Sequence, residues 1–371
     1  MSNILLQELS NADIDWLVTT GTRQTVAPQE ALVRPGESPA ALYVVLEGSL
    51  SVHWPGTEPI QKDTLTSMAL AQLSRGDVVG EGLLFGSESV LSVTASTQAV
   101  VLRLPKEILL KKVTADTDFA AHFYRALALI VSAKIRRLFE DSALLRYRSG
   151  QMVKEALFVF GELRDSDIDW MIRTGHLEKL AADRVLLNAG RPVDALYTVL
   201  DGQLTIATTQ TPCDPLSTCS HGLEELSASQ NFEPIAYLSR GGLPGIISFL
   251  DFQPLPVRIS TARESLLLAI PRKTVAIKLQ EDLGFAARFY RVIATQAATL
   301  LTTVAAAGHI SNCGSPGPAA DPTSDELDME TLQQVSEGGA KFDWMLRHLG
   351  VTGGAASANA IASANASGVG V

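Results

Sequence analysis

The sequence repeats itself, and this repeat constrains the fold more than any other feature. Residues 9–52 and 163–206 align at a constant offset of 154 without a gap. After an insertion, the segments 73–80, 104–112 and 118–128 recur as 238–245, 270–278 and 284–294. The identical pairs of the opening segment include Asp13/Asp167, Ile14/Ile168, Asp15/Asp169, Trp16/Trp170, Gly21/Gly175, Gly36/Gly190, Leu42/Leu196, Tyr43/Tyr197 and Gly48/Gly202. Preserved order and spacing indicate two copies of one folding unit.

A chain of 371 residues has room for two such domains. We predict domain 1 over 1–150, domain 2 over 151–306 and a tail over 307–371. The tail is expected to hold an acidic linker, a short helix at about 338–349 and a disordered low-complexity end. Its segment 341–350 repeats the opening Asp-Trp motif. This segment is either a docking helix copied from the repeat or a coincidental amphipathic helix.

Each unit is predicted to open with a capped helix. In unit 1 it covers 10–21, with Ser10 or Asn11 as the cap. Asp13 and Asp15 suit the positive end of the helix dipole, so capping explains this pair better than acid–base catalysis. We expect Gly21 to end the helix in a left-handed conformation.

Short strands should follow, and helices should close the unit. The strands are predicted at 31–34, 41–46, 50–54, 69–73, 78–79, 91–97 and 99–104, with a hairpin at Glu47-Gly48. The closing helices are predicted at 106–114 and 119–140, and that of unit 2 at 285–304. We expect Lys134, Arg136 and Arg137 to form a solvated face. The fold class is therefore α+β, with two tandem antiparallel β-rolls (jelly-roll-like) and flanking helices.

The strand and cassette segments carry a family resemblance. Residues 34–52 resemble the opening hairpin of the cyclic-nucleotide-binding domain of bacterial catabolite activators and kinase regulatory subunits. Residues 73–86 resemble the entry to its phosphate-binding cassette, and 104–135 resemble its last two helices. The resemblance implies that backbone N–H groups and an Arg hold a cyclic phosphate while a Glu binds the ribose hydroxyl.

Carried onto unit 1, the resemblance places the candidate site in the cassette. Gly80 and Glu81 match the family's Gly-Glu pair, and Ser89 falls where the phosphate-binding Arg is expected. No Lys or Arg occurs between 76 and 102. Because a buried phosphate without a cation is costly, tight binding of cyclic AMP or cyclic GMP is not favoured. The candidate ligand-binding residues are Gly80, Glu81, Gly82, Leu83, Ser89 and Ser92.

In unit 2 the same positions are Gly245, Ile246 and Leu255. Apolar residues replace both charged contacts, so this cassette is predicted to be degenerate. Arg258 lies three residues further on, and on a strand it should face the other side.

Other chemistries find little support in the sequence. A net charge of −10 and the lack of a basic recognition helix disfavour nucleic-acid binding and a transcription regulator. The spacing of Cys213, Cys219 and His221 fits no metal pattern, so no metal site and no catalytic residues are predicted. Neither a signal peptide nor a membrane span is recognised, and we expect a cytoplasmic chain without a cofactor.

These observations favour a non-enzymatic regulatory or scaffold protein. The two closing helices are expected to pair, so that one chain mimics a dimer and binds a protein partner. The architecture and the DIDW opening also resemble two-domain cyanobacterial proteins that accompany bacteriocin-type export operons, which implies a transport component as that partner. The alternative is a sensor that binds a cyclic nucleotide or another small ligand through domain 1.

Overall fold

The computed structural model describes residues 4–53, 71–85, 89, 91–140, 151–153, 157–209, 232–312 and 329–351. Three predicted segments lie outside the described residues: the linker over 313–328, the tail beyond 351 and the Cys213–His221 segment.

Unit 1 is a roll of two antiparallel sheets between helices. Its helices are α1 (Ile4–Glu8), α2 (Asn11–Thr20), α3 (Lys106–Ala115) and α4 (Thr117–Glu140). Its strands are β1 (Thr22–Val26), β2 (Ala31–Val33), β3 (Ala41–Glu47), β4 (Leu50–His53), β5 (Ala71–Leu73), β6 (Val78–Val79), β7 (Ser92–Ala95) and β8 (Ala99–Pro105). The strand orders are β1-β8-β3-β6 and β2-β7-β4-β5.

Unit 2 repeats this roll. Its strands are β9 (Gln151–Met152), β10 (His176–Leu180), β11 (Val185–Leu187), β12 (Ala195–Asp201), β13 (Leu204–Thr209), β14 (Phe232–Leu238), β15 (Arg258–Thr261) and β16 (Ser265–Pro271). Its helices are α5 (Asp165–Thr174), α6 (Ile246–Asp251), α7 (Arg272–Glu281) and α8 (Leu283–Asn312), with a 3-10 helix at Leu157–Glu162. The strand orders are β10-β16-β12 and β11-β15-β13-β14-β9. The predicted α+β class with two tandem rolls is confirmed; the pair β9–β14 is parallel.

The two rolls share their irregularities as well as their strands. The ladder between β3 and β8 shifts register between Val45 and Glu47. The ladder between β12 and β16 shifts at the equivalent step, between Val199 and Asp201. A bulge at the same position in both copies supports the alignment made from sequence alone.

The opening helix is capped as predicted, but its end differs from the prediction. Ser10 and Asp13 form a reciprocal capping box at the start of α2. Gly21 is extended, with φ −72°, rather than left-handed. A side chain there would place its Cβ 2.6 Å from the Leu102 side chain, so close packing of helix on sheet requires the glycine.

The closing helices begin with the same aromatic cluster in each unit. Phe119 is fully buried and meets Trp16 edge-on, with ring centroids 5.2 Å apart. Phe285 and Trp170 repeat this contact at 5.3 Å. The two tryptophans therefore pack the opening helix of each unit against its closing helix.

Helices α4 and α8 pair across the units with quasi-twofold symmetry. The Arg125 guanidinium lies 6.0 Å from the Tyr290 ring centroid, and Arg291 lies 5.9 Å from the Tyr124 ring. Each of these arginines also binds a glutamate of its own unit, Glu8 at 3.0 Å and Glu162 at 2.8 Å respectively. Reciprocal contacts of this kind confirm the predicted intramolecular pseudo-dimer.

Two helix boundaries depart from the predictions. Helix α8 continues to Asn312, and the three alanines that follow Val304 in the sequence have high helix propensity. At its described positions, the connection between the units is a short strand and a 3-10 helix. The third Asp-Trp helix is α9 (Met329–His348), longer than 338–349.

Helix α9 docks on unit 2 itself. Phe342 is buried and meets Phe160 edge-on at 5.1 Å. The Lys341 ammonium donates to the carbonyl oxygens of Gly161 and Leu163, at 3.0 and 2.6 Å. A cation at the carboxyl end of the 3-10 helix is favourable, so this end of the tail is part of the domain.

Within the described part of the chain, no helix combines the length and apolarity needed to cross a membrane. That part also contains no cluster of three or more His, Cys, Asp or Glu side chains placed to bind a metal.

The duplicated capping carboxylates supply a matched test. Asp167 is 2 % exposed and bound by Arg288 at 2.7 and 3.0 Å, whereas Asp13 faces His122 at 3.5 Å. We expect Asp167→Asn to lower the free energy of unfolding by about 1–3 kcal/mol, because the amide leaves a half-buried guanidinium without its counter-charge. Asp13→Asn should cost less. Denaturant titration followed by circular dichroism measures both, and equal losses would contradict this account.

Candidate functional site

The cassette of unit 1 begins at a glycine that no other residue can replace without strain. Gly80 follows β6 with φ +88°, and a Cβ there would lie 2.5 Å from the carbonyl oxygen of Ala41. The chain then forms a 3-10 turn over Glu81–Leu84, anchored by the buried Leu83. Gly82, in the middle of this turn, accepts a hydrogen bond from the Phe85 N–H at 3.0 Å. This geometry presents Glu81 at the start of the turn.

Glu81 is bound by a lysine of the closing helix. The Lys134 ammonium lies 2.5 Å from the Glu81 carboxylate and also donates to the carbonyl oxygen of Val78 at 3.2 Å. The Lys134 side chain is 20 % exposed and the Glu81 side chain 13 % exposed. The cassette therefore receives a cation that the local sequence lacks, from a position more than 50 residues away.

The prediction that Lys134, Arg136 and Arg137 form a solvated face on α4 is wrong for two of the three residues. Lys134 binds the cassette of unit 1, and Arg136 binds unit 2. Arg137 is exposed, as predicted. The sequence could not reveal the two partners, because both lie far away along the chain.

Ser89 and Ser92 take different positions around the cassette. The backbone of Ser89 pairs with the Gly36 N–H at 2.8 Å and the Glu37 carbonyl at 3.1 Å. Its hydroxyl donates to the carbonyl oxygen of Leu91 at 2.7 Å. Ser92 is 1 % exposed inside the pair β4–β7, with its hydroxyl 3.5 Å from the carbonyl oxygen of His53. Ser89 lies at the cassette rim, whereas Ser92 lies within the sheet.

The cassette of unit 2 begins with the same left-handed glycine, but the chain after it forms the α-helix α6 instead of a 3-10 turn, and apolar residues stand at the positions of Glu81 and Ser89. Gly245 is left-handed with φ +75°, and Ile246 after it is buried. Leu255 pairs with Gly190 and Arg191 at 2.8 and 2.9 Å, as Ser89 pairs with its own turn. Equivalent backbone bonds confirm that Leu255 occupies the Ser89 position, and Leu255 is 1 % exposed.

An apolar contact replaces the ion pair of unit 1. Leu300 of α8 occupies the place of Lys134, and it lines one small cavity together with Ile246. Gln296 closes this cavity through hydrogen bonds with the Leu243 N–H and the Gly241 carbonyl, at 3.1 and 2.8 Å. The cavity measures about 20 Å³, which is enough room for one water molecule but not for a nucleotide.

Unit 1 closes the rim of this second cassette. Arg136 of α4 binds the carboxylate of Asp251 at 2.8 and 3.0 Å through one nitrogen, and Pro254 accepts from another. The side chain of Arg136 is 12 % exposed, and that of Asp251 is 17 % exposed. Arg258 plays no part here, since its guanidinium stacks on Phe232 at 4.6 Å.

Comparison with known proteins agrees with this geometry. Residues 23–116 match the family model of the cyclic nucleotide-binding domain. The chain is built from two tandem domains like this one. No curated protein matches the chain.

Solved structures to which the chain is similar include kinase regulatory subunits. One is the regulatory domain of Toxoplasma gondii PKA with cAMP, 14 % identical, covering 75 % of this chain and 93 % of that one, with a TM-score of 0.26. Another is the regulatory subunit of a cAMP-independent protein kinase A from Trypanosoma cruzi bound to guanosine, at 14 % identity, 75 % and 80 % coverage and a TM-score of 0.27. A third is the N-terminal domain of a Streptomyces coelicolor transcriptional regulator, at 26 % identity, 34 % and 86 % coverage and a TM-score of 0.29.

The Glu81–Lys134 pair predicts a measurable coupling. Lys134→Met should lower the free energy of unfolding by about 1–3 kcal/mol, because it leaves a mostly buried carboxylate without its cation. The double variant Glu81→Gln/Lys134→Met should recover part of this loss, with a coupling of about 1 kcal/mol in a double-mutant cycle.

Arg137→Met on the same helix is the control and should change stability by less than about 0.5 kcal/mol. Additive effects of the two cassette substitutions would show that the pair does not form in solution.

Proposed function

We propose that this chain is a non-enzymatic regulatory or scaffold protein that acts through protein contacts and requires no cofactor. Both cassettes would be filled by contacts within the chain and would stabilise the fold rather than bind a nucleotide. The observation that carries the proposal is the ion pair between Glu81 and Lys134, which occupies the carboxylate that a ribose would need.

In unit 1, a cyclic nucleotide would meet two obstacles. It would have to break the Glu81–Lys134 pair to reach the carboxylate. Its phosphate would then face Ser89, which is neutral and whose hydroxyl already donates within the chain. A buried phosphate gains most from a bidentate guanidinium, and the described cassette residues of unit 1 include none.

In unit 2, the obstacles are steric and chemical together. The interior is occupied by Ile246 and Leu255, and Arg136 seals the rim from the neighbouring unit. A nucleotide would have to displace a packed apolar core and an interdomain ion pair. We therefore propose that the degenerate cassette of unit 2 stabilises the pseudo-dimer.

The partner is proposed to be a protein in the cytoplasm. Its identification as a component of bacteriocin-type export rests on the resemblance of the architecture and of the DIDW opening, and it stays a prediction. The pseudo-dimer offers such a partner one rigid surface from a single chain.

A second candidate is a sensor that acts through unit 1. Two observations favour it: the family model covers unit 1, and Gly80 with Glu81 keep the positions of the family's Gly-Glu pair. In that case Lys134 would exchange its carboxylate partner for the ligand phosphate, and α4 would transmit the change to unit 2 through Arg136.

Calorimetric titration of the full chain separates the two candidates. With cyclic AMP or cyclic GMP at up to about 1 mM, which detects any site of millimolar affinity or better, we expect no saturable heat. Cyclic di-nucleotides extend the test to larger ligands.

Saturable binding that Glu81→Ala abolishes would replace the scaffold proposal with the sensor. The variant Glu264→Ala, at an exposed carboxylate of unit 2, is the control for the loss of one negative charge.

A further inference from the structure

A groove of about 310 Å³ lies between the two units and borders the helix α6 that follows Gly245 in the cassette of unit 2. Helix α4 of unit 1 forms one wall, and helices α6, α7 and α8 of unit 2 form the other. Its volume is within the range of small-molecule sites, which often lie at domain interfaces.

Two arginines line the groove, and one of them gives it a positive charge. Arg125 lies at its edge, half exposed and already paired with Glu8 at 3.0 Å. Arg272 lies deeper, and its Nη1 is buried without a hydrogen-bond partner among the described residues. Arg272 keeps its charge despite this burial, because a guanidinium does not lose its proton in proteins.

The carboxylate nearest to Arg272 is already neutralised. The negative charge of Asp251 favours the charged form of Arg272, but both carboxylate oxygens of Asp251 accept hydrogen bonds from Arg136. The Arg136–Asp251 pair carries no net charge, so the positive charge of Arg272 remains uncompensated. An anion in the groove would supply both the missing acceptor and the missing charge.

Aromatic side chains hold the Arg272 guanidinium in place. It lies 4.2 Å from the ring centroid of Phe252 and 5.6 Å from that of Phe249. Phe252 is 57 % exposed and adopts a left-handed backbone with φ +55°, which is rare for a bulky residue. Strained residues of this kind concentrate at functional sites.

The remainder of the groove is largely apolar. Leu129 of α4 faces Leu279 and Phe289 of unit 2 across the space. Leu283 at the start of α8 also lines it and is 47 % exposed. Exposed leucine beside a buried cation suits a ligand that has both an apolar body and a charged head.

We propose that this groove binds a small hydrophobic carboxylate, with its head on Arg272 and its aliphatic or aromatic body along Leu129, Leu279 and Phe289. A carboxylate matches the bidentate geometry of a guanidinium. The groove shares helix α6 with the cassette of unit 2, but this proposal does not rest on the role proposed for either cassette.

The test uses decanoate as the probe, below its micellar concentration, with the full chain. Isothermal titration calorimetry should detect one saturable site per chain, and decyltrimethylammonium at the same concentration should show none. Arg272→Met should weaken decanoate binding at least about tenfold, since it removes a charge-assisted hydrogen bond. Arg173→Met, at an exposed arginine outside the groove, should leave binding unchanged.

A second pair of variants covers the case in which Arg272→Met unfolds. Leu283→Glu and Leu283→Gln alter the same exposed side chain and differ in charge. Only the glutamate should weaken decanoate binding, because it repels the carboxylate. Three results would each overturn the proposal: no saturable binding, equal binding of the cationic probe, or equal affinity in the Glu and Gln variants.

Discussion

The packing of α4 against α8 is the interaction on which the rest of this structure depends. Helix α4 carries Phe119 and Phe123 into the core of unit 1, and burial of one such ring contributes about 1.5–3 kcal/mol. Farther along, Arg125 reaches the ring of Tyr290 in unit 2. At its end, Lys134 and Arg136 contact one cassette each. A single helix therefore ties together two cores, the interface and both candidate sites.

This arrangement explains how the copies could diverge without loss of the fold. The backbone of each cassette is held by a left-handed glycine and by paired bonds to a neighbouring turn, and both features persist in unit 2. The side chains changed in a coordinated way: where Glu81 meets Lys134 in unit 1, Ile246 and Leu300 line one cavity in unit 2. A lone change would have left a charge buried without a partner, which is more costly than replacing both members.

Much of the fold could be predicted from local signals. The capping residues at Ser10 and Asp13, the hairpin glycine at 48 and the start of the closing helices all depend on neighbours within a few residues. The predictions failed where the cause is distant in sequence. Gly21 is required by the side chain of Leu102, and the short strand β1 exists only because β8 pairs with it. The residues of β1 itself, Thr22–Val26, carry only a weak strand pattern.

The sequence by itself determined the duplication, the roll architecture and the apolar character of the second cassette, because these depend on residue identity and spacing along the chain. Only the tertiary structure decided what the cations of α4 do. Lys134 and Arg136 look like a solvated charge run in sequence, yet each forms an ion pair with a distant partner: Glu81 is 53 residues and Asp251 is 115 residues away along the chain. Charge pairing acts through space, and the groove lined by Arg272 exists only once the two units are packed together.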